Sequence, residues 1–262
     1  MSLRIQNNIA AMNTQRNLGI SDTNMSKSLE KLSSGYRINS AKDDASGLAQ
    51  SMGLRANIAS AKVAQRNIAQ ANAGLQSAEG AMSTVGDILT RMKELATQAS
   101  SAGADTAKID AEFDNLIIEI DRIATANAGG GGTFQIGYTN TTSASQITVT
   151  VTASTTSALG LSSASVGSAA SALAAMGTID TAIGTLATAR ASVGSDQNRL
   201  AYAASNLAVT LENMTATDSV IRDVDMAEEM TNFTKNQILV QAGTSMLAQA
   251  NMAPQQVLSL FK

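Results

Sequence analysis

Two long stretches of the chain place apolar residues at helical spacing. In each, the apolar positions recur at alternating steps of three and four, which predicts a seam repeating about every 3.5 residues, as in coiled coils. The first stretch covers residues 54–99, and only Gln65 interrupts its seam. The second covers residues 179–221. At about 1.5 Å per residue each helix would be about 65 Å long, and because neither seam is stable in water, we expect the two to pair.

Helical spacing also extends over both ends of the chain. Residues 2–34 predict a first helix that ends at Gly35, where a left-handed residue commonly terminates a helix. A third helix is predicted after a turn at residues 100–105. Helix resumes near Ala174, and a final amphipathic helix runs from about Met226 to Leu260, with Pro254 interrupting it near its end. The long helix after the first is expected to begin with capping and acidic residues at Ser40, Asp43 and Asp44.

The middle of the chain loses the helical pattern. Gly129 to Gly132 would stop the third helix. Two runs then alternate apolar and polar residues, which predicts a β-hairpin over residues 133–152. Their apolar members are Phe134, Ile136 and Tyr138 in one run, and Ile147, Val149 and Val151 in the other. Residues 153–172 are rich in Ser, Ala and Gly and carry no charge, which predicts an exposed loop.

Together these elements predict a mainly α fold. We expect a long antiparallel helical bundle or coiled coil formed by the paired N- and C-terminal halves, with a small β-hairpin in the middle. Residues 1–42 and 219–262 would form a terminal coiled-coil inner domain. Residues 43–218 would form a helical rod domain that carries the hairpin and the loop. Such a protein should function through what its helices pack against.

The composition lacks the usual side chains of catalysis and metal binding. The 262-residue chain has no His, Cys or Trp, and aromatic residues make up 3% of it. Without Cys there is no disulfide or thiolate metal site, and without His the commonest general base and zinc ligand are missing. The net charge is −3 and no Lys/Arg cluster stands out, which leaves no basis for phosphate contacts. We expect no enzyme activity, no metal or other cofactor and no nucleic-acid partner.

The N-terminus gives no sign of secretion by a cleaved signal peptide. Residues 1–8 contain neither an apolar core nor a cleavage site. No run approaches the roughly 18 consecutive apolar residues that a membrane-spanning helix needs, so we expect no membrane partner. If the protein leaves the cell, another signal must direct it.

Specific motifs stand at both ends of the chain. Residues 32–47 read Leu-Ser-Ser-Gly-Tyr-Arg-Ile-Asn-Ser-Ala-Lys-Asp-Asp-Ala-Ser-Gly, which on physical grounds alone is a joint between two helices. The segment resembles the N-terminal signature of bacterial flagellins. Ile5–Asn13 and Arg91–Gln98 resemble that family too, and Gln237–Asn251 with Pro254–Phe261 resemble its C-terminal signature. The resemblance covers residues 1–126 and about 174–262.

The resemblance implies a structural subunit that polymerises into the bacterial flagellar filament for motility. Family members are exported unfolded through the flagellar type III apparatus, which implies an extracellular location in the filament. The implied partners are other copies of the chain, an export chaperone, and hook-associated and cap proteins. A short form without a variable outer domain is expected, because the middle segment is too short for a separate core. The alternative is a flagellin-like hook–filament junction or adaptor protein.

Two sets of residues are candidate interaction sites. The terminal helices carry apolar faces that only a partner in the filament can dry, and these give the assembly residues Ile5, Ile9, Met12, Leu239, Met246 and Leu247. The resemblance implies a second site, bound by the flagellin-sensing Toll-like receptor of innate immunity, at Arg91, Leu95 and Glu112. From the residues alone, Arg91 and Glu112 are solvated helix charges and Leu95 lies beside the seam.

Overall fold

The structure, a computed structural model, describes residues 7–101, 103–126, 131–140, 145–151 and 154–259, with side chains as far as Met252. The fold is mainly α with a two-stranded antiparallel sheet, which confirms the predicted fold class. The helices are α1 (Ile9–Ser34), α2 (Ala45–Ala99), α3 (Thr106–Ala126), α4 (Ala169–Arg222) and α5 (Met226–Ser259). The strands are β1 (Gly132–Gln135) and β2 (Gln146–Val149).

Local capping explains where the helices begin and end. The Asn8 side chain accepts a hydrogen bond from the Ala11 amide (3.1 Å), and Gly35 ends α1 with φ 75°. The α4 helix begins at Ala169 rather than near Ala174. The cause is Ser168, whose hydroxyl accepts from the Ser171 amide (3.2 Å) and so satisfies a donor of the first turn. The α5 helix continues through residue 254 to Ser259, so the predicted interruption at Pro254 is wrong.

The hairpin is shorter than the alternation predicts. Phe134 pairs with Ile147, and Gly132 with Val149. Beyond β1, the amides of Ile136 and Gly137 both donate to the Ser145 carbonyl, at 2.8 and 3.0 Å. Two donors on one acceptor indicate a bulge, which ends the ladder. Ile136, Tyr138 and Val151 therefore lie outside the strands, and Thr152 lies outside the described residues.

The predicted exposed loop at 153–172 is wrong for much of the segment. Residues 154–168, which we call the docked loop, bury Leu161 and Val166 completely and Leu159 almost completely. Leu159, Leu161 and Val166 are separated by two and then five residues, so no repeating pattern of period 2 or 3.6 marked them as core. The segment carries no charge that would oppose burial.

Two carboxylates of α3 hold the docked loop. The Thr156 amide and hydroxyl donate to the two carboxylate oxygens of Asp121, at 2.8 and 2.7 Å. The Val166 amide and the Ser165 hydroxyl donate to Asp110 Oδ1, at 2.8 and 3.1 Å. Buried backbone amides need such acceptors, because an unpaired donor costs about as much as a lost hydrogen bond. The carboxylates thus allow an irregular segment to enter the core.

The chain forms two compact units, Ala56–Asn213 and Met1–Arg55 with Met214–Lys262. We call them the central unit and the terminal unit. The predicted domain boundaries at residues 42–43 and 218–219 stay a prediction.

The central unit has a continuous apolar core. In α2 the predicted seam is buried from Ala61 to Ala99, and Ala64 takes the place that Gln65 would have occupied. Ion pairs between Lys93 and Asp180 and between Arg190 and Glu79 (2.7 Å) link α2 to α4 in antiparallel order. The largest completely buried side chains include Phe113, Leu75, Leu89, Met92, Ile120 and Ile179. The α4 helix is long and apolar enough to cross a membrane by length and composition alone.

In the terminal unit α1 packs against α5. The Asn8 side-chain amide donates to the Ala250 carbonyl (2.8 Å). Gly243 makes room for Leu18, since a Cβ at Gly243 would lie 3.1 Å from Leu18 Cδ1. Lys31 and Glu229 form an ion pair at 3.4 Å near the other end of the pair. These contacts fix an antiparallel register for the two helices.

The connectors at the ends of α1 and α4 are hydrogen-bonded to each other. The Arg37 amide donates to the Arg222 carbonyl (2.7 Å), and the Val224 amide donates to the Gly35 carbonyl (3.0 Å). The Arg37 guanidinium donates to the Ile221 carbonyl (2.7 Å) at the last turn of α4. The Arg222 guanidinium lies 4.2 Å from the centre of the Tyr36 ring. Residues 32–47 therefore form a joint between two helices, as predicted for this segment on physical grounds.

Candidate functional site

The terminal helices carry large apolar side chains that the chain itself does not cover. On α1, Ile9 is 57% exposed and Met12 is 59% exposed. On α5, Met246 is 61% exposed and Ile238 is 60% exposed. We call the exposed apolar residues of these two helices the terminal apolar surface; it comprises Ile9, Met12, Ile20 and Leu29 of α1 with Met226, Met230, Ile238, Leu239, Met246 and Met252 of α5.

Both terminal helices are apolar on more than one side. Leu18, Met25 and Leu32 of α1 are half-buried at the seven-residue spacing of a coiled-coil seam. Ile9 and Ile20, eleven residues or about three turns apart, lie away from that seam and are exposed. The α1–α5 pair therefore uses only part of its apolar residues. Large apolar side chains left in water in such numbers indicate an interaction site.

The predicted assembly residues divide into three groups. Ile9, Met12, Leu239 and Met246 are exposed members of the terminal apolar surface. Leu247 is half-buried, and Ile5 lies outside the described residues.

Sequence reasoning missed several members of the surface, including Ile20, Met230 and Ile238. These residues do not follow the seven-residue spacing of the positions that pair α1 with α5. Apolar residues outside that spacing were the signal that could have identified them. Met230, Ile238 and Leu239 line an open groove of about 550 Å³ on α5, together with Thr231, Thr234 and Lys235.

The three predicted receptor residues do not share one surface. Arg91 and Glu112 come together, because the turn after α2 returns α3 alongside it; Arg91 Nη2 lies 2.8 Å from Glu112 Oε1 and Arg91 Nε 3.1 Å from it. Arg91 Nη1 also donates to Glu94 (3.2 Å). Hydrogen bonding to Glu112, then to Glu94, raises the pKa of Arg91 above its ordinary value. We call Arg91, Glu94 and Glu112 the charged patch.

The prediction that Leu95 flanks the seam at the surface is wrong. Leu95 is 1% exposed and belongs to the core of the central unit. The reason is that α3 packs beside α2, and its presence widens the buried face of α2 beyond the seam that pairs with α4. Leu95 is therefore buried and offers no apolar anchor to a partner.

Among the described residues, no group of three or more His, Cys, Asp or Glu side chains is arranged to hold a metal ion. The cavities of the described part of the chain include the groove on α5 and a cleft of about 300 Å³ between the hairpin and α4, lined among others by Tyr138, Ser145 and Asn206. The prominent features of the molecule are thus surfaces, and the chemistry they offer is apolar burial and ion pairing.

Comparison with known proteins places the chain in a family. Residues 5–134 match the model of the bacterial flagellin N-terminal helical region, and residues 176–261 match that of the bacterial flagellin C-terminal helical region. Flagellin FlaB2 of Treponema pallidum is 39% identical over 287 residues, covering 98% of this chain and 99% of that protein. Flagellin of Halalkalibacterium halodurans is 40% identical over 271 residues, with the same coverage of both chains.

Flagellin of Bacillus subtilis is 35% identical over 308 residues, covering 99% of this chain and all of that protein. The crystal structure of Bacillus cereus flagellin is similar with a TM-score of 0.47 and 29% identity, covering 54% of this chain and 88% of that chain.

Proposed function

The chain belongs to the bacterial flagellin family and is a structural subunit of the flagellar filament, and we propose that the terminal apolar surface drives its polymerisation. The observation that carries this proposal is the near absence of a core in the terminal unit. Of the buried apolar residues among those described, only Ile38 and Met214 belong to that unit. Its helices therefore need a partner to bury their apolar side chains.

The energetic argument follows from the number of exposed side chains. Burying one large apolar side chain contributes about 1.5–3 kcal/mol. Ordering a helix costs about 1–2 kcal/mol per residue in backbone entropy, which hydrogen bonds and packing must offset. The α1–α5 contact alone leaves most large apolar residues of both helices in water. Neighbouring subunits that cover the terminal apolar surface would supply the missing contribution.

The test is seeded elongation with variants at Met246. Met246→Asp places a charge where polymerisation would bury an apolar group, so we expect elongation on filament seeds to fail. Met246→Leu keeps the apolar side chain and should elongate normally. Gln249→Asp adds the same charge at an exposed polar position of the same helix and should elongate better than Met246→Asp. Normal elongation by Met246→Asp would contradict the proposal.

Amide hydrogen exchange gives a second, independent test. In the dilute monomer, α1 and α5 should exchange rapidly, because little apolar area holds them together. In the filament they should become protected. The core helices α2 and α3 of the central unit serve as the internal reference and should be protected in both states. Strong protection of residues 9–34 in a dilute monomer would show that the terminal unit is stable alone.

A second proposal concerns recognition by the flagellin-sensing Toll-like receptor at Arg91 and Glu112. The supporting observation is that the two side chains meet on the surface, with the guanidinium held between Glu112 and Glu94. A pre-oriented forked donor is a suitable centre for an interface hot spot. We expect Arg91→Glu monomers to lose activation of receptor-bearing cells, while Lys108→Glu, a charge reversal at an exposed site on α3, keeps it.

The remaining partners follow from the family resemblance. We propose that an export chaperone binds the terminal unit before assembly, and that hook-associated and cap proteins contact the chain at the ends of the filament. Export would proceed through the flagellar type III apparatus without a cleaved signal peptide, to an extracellular location in the filament. Immunolabelling of intact cells and mass spectrometry of the N-terminus of the exported chain would test this route.

A further inference from the structure

Methionine exposure differs between the two compact units. Met12 and Met246, in the terminal unit, are 59% and 61% exposed. Met52, Met226, Met230 and Met252 of the same unit are also exposed. In the central unit, by contrast, Met82 is 2% exposed and Met92 is completely buried. A thioether sulfur reacts with oxidants according to its accessibility, so the exposed methionines of the terminal unit are the reactive ones, whereas Met214 of that unit is only 9% exposed.

Met12 and Met246 lie at one level of the α1–α5 pair. The hydrogen bond from Asn8 to Ala250 fixes the antiparallel register near the start of α1. The contact of Leu18 with Gly243 fixes it again nearly three turns further along α1. Between these two points, position 12 of α1 stands at the level of position 246 of α5. Two accessible thioethers, the most exposed among the described residues of α1 and α5, therefore lie at one level of the helix pair.

We propose that Met12 and Met246 form an oxidation site through which peroxides block polymerisation of the subunit. The proposal rests on the proposed role of the terminal apolar surface in assembly. The methionine sulfur attacks one oxygen of hydrogen peroxide; an S–O bond forms and the O–O bond breaks. The displaced hydroxide takes the proton of the transferred oxygen and leaves as water. The sulfur is oxidised to a sulfoxide and the peroxide is reduced.

The consequence follows from the polarity of the product. A sulfoxide is a polar, strong hydrogen-bond acceptor in place of a flexible apolar group. Because both side chains are exposed in the subunit, the modification leaves the central core intact. Polymerisation would bury the sulfoxide oxygens, and each should raise the critical concentration for elongation on the order of tenfold, equivalent to about 1.4 kcal/mol. Filaments, in which the surface is covered, should resist the same oxidant.

The experiment compares monomers and filaments of the full chain treated with hydrogen peroxide. Peptide mass spectrometry measures oxygen addition at each methionine, and seeded elongation measures function. We expect Met12 and Met246 to be oxidised in monomers, with Met82 and Met92 spared as internal references. Elongation should fall as these two sites are modified and should recover after methionine sulfoxide reductase treatment. In the Met12→Leu/Met246→Leu double variant, the same exposure should lower elongation, relative to that variant's own untreated sample, much less than in the unsubstituted chain; Met82→Leu serves as the matched control.

The outcomes separate the two proposals. Filaments that protect Met12 and Met246, combined with normal elongation by oxidised monomers, would overturn the oxidation site and leave the assembly surface standing. Equal oxidation of both residues in filaments and monomers would show that the surface stays open, and both proposals would fail. If oxidation lowers the elongation of the double variant as much as that of the unsubstituted chain, the sensitive site lies elsewhere and the oxidation-site proposal fails. If the untreated double variant does not elongate, the oxidised unsubstituted chain provides the test. Recovery of its elongation after reductase treatment supports the oxidation site, and no recovery overturns it.

Discussion

The docked loop should be part of the stability of the central unit, although its composition suggests a dispensable linker. Leu161 is completely buried, so Leu161→Ala removes a core side chain and leaves a cavity. Such substitutions cost about 2–5 kcal/mol. Leu173→Ala is the matched control, because Leu173 is 63% exposed at the start of α4 and should change stability by less than about 0.5 kcal/mol.

The loop anchor offers a second perturbation that should couple to the first. The Asp121 carboxylate accepts from Thr156, and the Thr156 carbonyl in turn accepts from the Leu161 amide (2.8 Å). Asp121→Ala leaves the Thr156 donors without this acceptor, a loss of about 1–3 kcal/mol. Because one backbone segment transmits both effects, the double variant should lose less than the sum, by about 0.5 kcal/mol or more.

Urea unfolding of the monomer, followed by circular dichroism, measures these differences. The central unit should give the main cooperative transition, whose midpoint moves while its slope stays constant. If Leu161→Ala has the same urea midpoint as Leu173→Ala and the unsubstituted chain, the docked position of the loop is refuted. Strict additivity of Leu161→Ala and Asp121→Ala would refute the connection through Thr156.

Three further predictions follow. Leu89→Asp places an unpaired carboxylate at a completely buried position of α2. It should destabilise the central unit by about 3–5 kcal/mol, the cost of breaking a buried ion pair, whereas Asp at the exposed Thr90 position should not. The urea midpoints of the two variants measure the difference. Hydrogen bonds from Ser40 hold the pKa of Asp43 below its ordinary value. This carboxylate therefore stabilises the joint above its unfolded-state pKa, and that contribution is lost as the pH falls through its folded-state pKa. Asp43→Asn should make the stability less dependent on acid pH. Arg91→Glu places a third carboxylate next to Glu112 and Glu94. Because these charges repel one another, the α2–α3 contact should open locally, and amide exchange in α3 should become faster.

The helices were predictable because their stability follows local periodic rules. The seam of α2 follows alternating steps of three and four, and its burial from Ala61 onward confirms it. The interruption of the seam at Gln65 was harmless because Ala64, the preceding residue, is buried in the core instead. Gly35 ended α1 as expected, since only a residue that tolerates positive φ fits there.

The docked loop and Leu95 were not predictable, because both depend on a third element. Leu159, Leu161 and Val166 have no period, and their burial requires Asp110 and Asp121 of α3 to satisfy the loop backbone. Leu95 is buried because α3 covers a second side of α2. A pairwise seam argument finds the face that one helix offers to one partner. It cannot find the faces that a further layer covers, since that layer is distant in sequence.

The unequal distribution of core between the two units has a consequence for assembly. The central unit completes its core from its own residues, including those of the docked loop, so it can fold before any neighbour is present. Among its described residues the terminal unit has almost no core, and it exposes apolar side chains on helices that are marginal when isolated. Helices that form stably only against a neighbour present no rigid apolar surface to other monomers in solution. We infer that the scarcity of core in the terminal unit keeps the subunit monomeric until a filament end supplies the missing partners.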